Sequence, residues 1–92
     1  MAKEVMERVY TIRVKHRVKK YPRWLRSQKA IRMIRRFLSR HMKTSEENVK
    51  IDASINEKIW ERGAQKPPTK IKIRAVKFDD GIVEAELFRE QT

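Results

Sequence analysis

The sequence predicts an α+β fold: three main strands in one sheet, packed against one long and one short helix. Three observations predict it. A two-faced run fills Pro22 to Lys43, period-two alternation marks Arg8–Val14 and Ile71–Phe88, and a short segment from Ser54 to Gly63 carries helix start and stop signals. At 92 residues the chain is the size of one domain, with 1–6 and 89–92 expected to be loosely ordered.

Arg8 to Val14 (RVYTIRV) is rich in β-branched and aromatic residues. Tyr10, Ile12 and Val14 alternate with Val9, Thr11 and Arg13, so the Tyr10 side is expected to face the core. His16 to Arg23 (HRVKKYPR) reads as a connection. Pro22 biases Tyr21 away from helix and suits a helix start.

The long helix is expected from about Trp24 to Met42. At about 100° per residue, Ser27, Ala30, Ile31, Ile34, Phe37, Leu38 and His41 share one side. Lys29, Arg32, Arg36, Arg40 and Lys43 share the other, in a stripe roughly 80° wide. A merely solvated face would mix signs and carry i,i+4 Glu–Lys pairs. This stripe has none, so it calls for an anionic partner.

Ser45 is placed to cap a single turn, with Glu46 and Glu47 at its positive end. Val49 to Ile51 is a short extended piece. Ser54 and Glu57 form an S-x-x-E capping box for a second helix over about 55–62. Ile55 and Ile59 share its buried face, Trp60 is read as core, and Gly63 closes the helix. Gln65 to Thr69 (QKPPT) is a stiff connector.

The remainder reads as a hairpin. A two-residue turn at Asp80-Gly81 would set Arg74 beside Leu87. A three-residue loop, Asp79-Asp80-Gly81, instead pairs Ile73 with Leu87, Ala75 with Ala85 and Arg74 with Glu86. Only the latter keeps one face apolar and opposes unlike charges, so it is the expected register, with Gly81 left-handed.

Charge points to function. The chain has 24 Lys and Arg against 12 Asp and Glu, a formal net charge of +12 and a pI near 10.5. Residues 1–45 hold 15 of the cations and only 2 acids, while residues 46–92 hold 9 and 10. From Arg8 to Ser45 there is no acid at all. The basicity is thus a surface footprint of one half, as nucleic-acid binders show.

The candidate RNA-binding residues are Lys15, Arg17, Lys19, Lys20, Tyr21, Arg23, Trp24 and Arg26 around the connection. Lys29, Arg32, Arg36, Arg40 and Lys43 follow on the helix, then Arg62 after the short helix. Cations meet phosphates, and flat rings can stack on exposed bases. Trp24 could equally cap the core, and Tyr21 leans to the surface. Arg62 could equally serve the helix dipole. Lys72 and Arg74 are possible secondary contacts, with Glu84 and Glu86 opposite them arguing for local neutralisation.

Other chemistry has little support. There is no cysteine, hence no thiolate metal site or disulfide, which fits a reducing compartment. No catalytic residue, metal site or cofactor is expected. His16 and His41 lie far apart in the chain, and His41 reads as a structural histidine on the core side. Glu46-Glu47 and Asp79-Asp80 are explained by a helix start and a turn. Two glycines cannot make a phosphate-cradling loop. No apolar run approaches the roughly 20 residues of a membrane span, and the N-terminus has no secretory signal pattern. A DNA-binding or chromatin-architectural protein shares the charge and stays as the alternative. A peripheral membrane helix is disfavoured because its apolar face is needed for the core.

Asn56-Glu57-Lys58-Ile59-Trp60-Glu61-Arg62-Gly63 resembles the signature of the large-subunit ribosomal protein thirty-one family of archaea and eukaryotes. Glu7 to Ile12 and Ile34 to Met42, ending Arg40-His41-Met42, are similar to that family too. The order of strand, basic loop, long helix, Lys50-Ile51-Asp52, short helix, prolines and Lys70–Ala75 also matches. The resemblance covers about residues 5–88, and the compact hairpin looks archaeal. It implies a non-enzymatic structural constituent of the large ribosomal subunit, cytoplasmic, on ribosomal RNA near the rim of the polypeptide exit tunnel. It further implies neighbouring ribosomal proteins, and factors acting on the nascent chain, as partners. No membrane or small-molecule substrate is implied.

Overall fold

Alternating apolar residues build the sheet first. In the computed structural model, residues 3–63 and 66–88 are described. Four strands, β1 (Glu4–Ile12), β2 (Val49–Ile51), β3 (Ile71–Phe78) and β4 (Val83–Leu87), form one sheet in the order β1-β3-β4-β2. The helices are α1 (Val14–Val18), α2 (Arg26–His41, entered through a 3-10 turn at Arg23–Leu25) and α3 (Ala53–Trp60). The α+β class holds, with β2 as a fourth, short strand.

The hairpin has the expected register. Ile73 pairs with Leu87, Arg74 with Glu86 and Ala75 with Ala85. Phe78 N–H donates to the Ile82 carbonyl at 2.9 Å, which leaves a three-residue loop, and Gly81 has φ +90°. A Cβ-bearing residue rarely adopts that conformation, so the glycine is required by the turn. Thr44 Oγ1 donates to the Gly81 carbonyl at 2.7 Å, tying the loop to the end of α2.

The first strand differs from expectation at both ends. It starts at Glu4, so residues 4–6 belong to the strand, which pairs antiparallel to β3 with an irregularity between Glu4 and Met6. It stops at Ile12, and Val14 instead opens α1. Val14 and Val18 are both buried, four apart on one side of a short helix. The anticipated loop therefore begins as a helix. Residues 89–92, and Gln65 of the connector, lie outside the described residues.

Ile12, Ile73, Ala75, Val83 and Ala85 meet Ala30, Ile34, Leu38, Ile55 and Ile59 in one core. The apolar arc of α2 is buried as predicted at Ser27, Ala30, Ile34 and Leu38, while Ile31 and Phe37 are half-buried. His41 is a correction: it is exposed, stacked on Phe37 rather than inserted in the core. Trp60, read as core, is 40% exposed.

Buried Ser27 binds α2 to α3. Its hydroxyl donates to the Gly63 carbonyl at 2.8 Å, with the Ile59 carbonyl 3.4 Å away. Such a bond satisfies carbonyls that a helix end leaves without intrahelical partners. Gly63 has φ +89° and its N–H donates to the Trp60 carbonyl, so it does terminate α3. The cap at the other end is not the expected box. Asp52 is the N-cap and accepts from the Ser54 N–H at 3.0 Å. Ser54 Oγ instead accepts from the Leu87 N–H at 3.1 Å, joining α3 to β4. Hydrogen bonding from Ser54 lowers the Asp52 pKa below its ordinary value.

Ser45 precedes a 3-10 turn at Glu46–Asn48, but its side chain makes no cap bond there; the Ser45 carbonyl accepts from Asn48 N–H. Lys43, unforeseen, takes a left-handed φ of +53° just past α2. β2 runs parallel to β4, Val49 beside Val83, and Asp52 N–H reaches the Ala85 carbonyl at 2.8 Å.

Candidate nucleic-acid interface

Two concave surfaces lie along α1 and α2, and α1 contributes cations to both. The first encloses about 650 Å³. Its cations are Arg17, Lys20, Lys29, Arg32, Arg36 and Arg40, and among them stand the rings of His16, Tyr21, Phe37 and His41. The second encloses about 620 Å³ and gathers Lys15, Lys19, Arg23, Arg26, Arg62 and Lys66, with no aromatic ring. Neither is lined by an acid. Like charges drawn together this way raise a strong positive potential over each hollow.

Most candidate residues from the sequence thus fall into one of two groups that the chain order does not reveal. Arg62 and Lys66 join Lys15 and Lys19 because Ser27 draws the end of α3 against α2. Lys66 was missed, and no local pattern marks it. Arg35 was missed too; it is exposed and shares a third hollow with Arg32, Arg36, Glu46 and Glu47. Its only signal is its place beside the stripe. Trp24 and Lys43 are exposed but line neither basic concavity. Trp24 does not cap the core, being 68% exposed.

Several candidates have structural work. Arg26 Nε donates to the Tyr21 carbonyl at 3.2 Å and Nη2 to the Lys19 carbonyl at 3.2 Å. Its fork holds the chain where α1 ends, so Arg26 shapes the second concavity as well as charging it. Tyr21 is half-buried and packs against the core, not out on the surface. The ammonium groups of Lys20 and Lys29 each sit 5.3 Å from its ring centroid, a cation–π arrangement. Arg36 meets an acid after all: its Nε is 3.4 Å from Glu46 Oε1.

The opposite side of the sheet is electrostatically different. Arg74 Nε is 2.6 Å from Glu7 Oε1, and its Nη1 is 2.7 Å from Glu86 Oε1. Arg74 is therefore committed within the protein, which decides for local neutralisation at that residue. Hydrogen bonding and charge from Arg74 hold the Glu7 carboxyl below its ordinary pKa, and the two carboxylates raise that of Arg74. Lys72 has its ammonium 4.6 Å from the Phe88 ring centroid. Glu4, Asp52, Glu84 and Glu86 stand with Lys50 and Arg74 around a hollow there.

Among the described residues no cluster of His, Asp or Glu could hold a metal ion. Among them, too, no helix is long and apolar enough to cross a membrane. Fold and surface define the class: a small basic α+β protein with two concavities lined by cations and by no acid.

The chain belongs to the ribosomal protein L31e family, whose model matches residues 4–79. It is 56% identical over 90 residues to the large ribosomal subunit protein eL31 of Methanosphaerula palustris, covering 98% of this chain and 100% of that one. It is 54% identical to the eL31 of Methanoculleus marisnigri, again over 98% of this chain and 100% of the relative. The eL31 of Methanothermobacter thermautotrophicus is 52% identical over 82 residues, 89% of this chain and 98% of its own. Membership makes this a ribosomal structural protein of archaeal type and not an enzyme.

Proposed function

We infer that the protein is a constituent of the large ribosomal subunit that holds ribosomal RNA in its two basic concavities, near the rim of the polypeptide exit tunnel. One observation carries the RNA reading: six cations line each concavity and no acid lines either. The names of its relatives support the large subunit. The tunnel rim rests on the family resemblance alone. Lys and Arg would neutralise backbone phosphates and release their counterions. Folded RNA presents shape, single strands and 2′-hydroxyls, so contacts are chiefly to the backbone. The mixed-charge sheet face is left to neighbouring ribosomal proteins and to factors that meet the emerging chain. The setting is the cytoplasmic ribosome.

The test has two arms. The native protein should cosediment with large subunits after a high-salt wash. Binding to large-subunit RNA fragments, with duplex DNA as competitor, should then be compared between two triple variants. Lys19, Arg23 and Arg62 changed together to Gln should lower affinity and flatten the salt dependence by about 0.7–0.9 for each phosphate no longer neutralised. Lys50, Lys58 and Lys77 changed to Gln should do much less. Equal losses, or a preference for duplex DNA, would overturn the reading.

A further inference from the structure

The two concavities share a charge but differ in chemistry. Only the first has rings in it, and only one of those rings is both held and open. His41 follows Phe37 by one helical turn, and the rings stack with centroids 4.1 Å apart at 29°. Phe37 is itself fixed by Tyr10 of β1, which meets it edge-on at 5.4 Å and 84°. Tyr10 is anchored in turn, its hydroxyl donating to Met42 Sδ at 3.4 Å. Through this chain of contacts the sheet positions an imidazole that remains exposed to solvent.

The other rings are less suited to receive a ligand. His16 is exposed in the same concavity, but among the described residues no ring contact or hydrogen bond holds its imidazole in place. Phe37 is covered by His41 and by the Arg17 guanidinium, 5.5 Å from its centroid. Tyr21 is occupied by Lys20 and Lys29. Trp24 and Trp60 are exposed but line neither basic concavity. A flat ring, fixed beforehand in a concavity that Arg36 and Arg40 also line, offers a base a stacking surface and its phosphates cations within the same hollow. Because packing already orders the ring, little freedom is lost when a base lands on it.

We propose that the concavity containing His41 is a nucleobase subsite: one unpaired base of the bound RNA stacks on the outer face of the His41 imidazole. The ring-free concavity at Lys19 and Arg62 takes backbone phosphate only. This rests on the RNA-binding reading above, and it adds that the two hollows divide the ligand between them.

The experiment uses the full chain and two probes of equal charge, a decamer of oligo-adenylate and a ribose-phosphate decamer without bases. Wild type should bind the adenylate about tenfold tighter at the same low salt, as one stacked base would give. His41→Ala should bring the two probes within about twofold of each other while leaving the base-free probe unaffected. His41→Phe, which keeps a flat ring, should retain most of the preference, and Trp24→Ala should retain all of it. Circular dichroism of each variant confirms the fold. Equal binding of both probes by wild type overturns the subsite, as does a preference that survives His41→Ala. So does a preference that is lost in His41→Phe or Trp24→Ala. If neither probe binds in a salt-dependent way, the RNA reading itself fails and the subsite goes with it.

Discussion

Arg36 Nε stands 3.4 Å from Glu46 Oε1, so the basic stripe of α2 meets an acid ten residues further along the chain. Among the described residues, Arg36 is the one stripe member with an ion-pair partner. The pair is open to water, with side-chain exposures of 69% and 51%, and screening keeps such contacts weak.

That pair should therefore compete with RNA rather than support the fold. Glu46→Gln is expected to raise RNA affinity about two- to fivefold, the range of an exposed ion pair. Stability should stay within about 0.5 kcal/mol of wild type. Titrations at several salt concentrations and a urea melt measure both. A weaker complex would show that Glu46 orders Arg36 for binding instead.

Arg26 should behave in the opposite way, as a positioning residue. Its guanidinium bridges the Tyr21 and Lys19 carbonyls, which a single ammonium cannot do in the same geometry. Arg26→Lys keeps the charge and is expected to cost about 1 kcal/mol of stability; Arg26→Ala should cost about 1–2 kcal/mol. Urea midpoints give the cost. Amide exchange at residues 19–21 should quicken in both variants. If Arg26→Lys matches wild type in each measurement, charge alone is what the position supplies.

Acid should loosen the sheet at Glu7. The folded-state pKa of Glu7 lies below its unfolded value, so the unfolded chain takes up the proton first. The stabilising contribution is complete above the ordinary glutamate value of 4.5 and is lost as pH falls below it. Asp52, also lowered, acts in the same direction. The melting temperature is expected to be steady near neutrality and to drop in acid. Glu7→Gln should remove part of that drop. Parallel acid losses in both proteins would exclude the Arg74–Glu7 pair as a source.

Several features were legible residue by residue. The spacing of Ala30, Ile34 and Leu38 determined which side of α2 is buried, because helix faces repeat within a few residues. Pairing Arg74 with Glu86 and Ile73 with Leu87 set the hairpin register, because strand faces alternate and the two strands are neighbours in the chain. The half-domain footprint of charge needed only counting. Local periodicity decided less where segments are short. Val14–Val18 fits the end of a strand or the start of a helix, and three residues at Val49–Ile51 are too few to announce a parallel partner.

By itself, then, the sequence determined the class of fold, the buried face of α2, the hairpin and the sign of the partner. Only the tertiary structure decided that Arg62 and Lys66 stand with Lys19, that Glu46 reaches Arg36, and that His41 is a fixed, open ring. The physical reason is range. A face is written in residues three or four apart, whereas these groupings arise when the packing of α3 on α2, through Ser27 and Gly63, and of Tyr10 on Phe37, brings together side chains from separate segments.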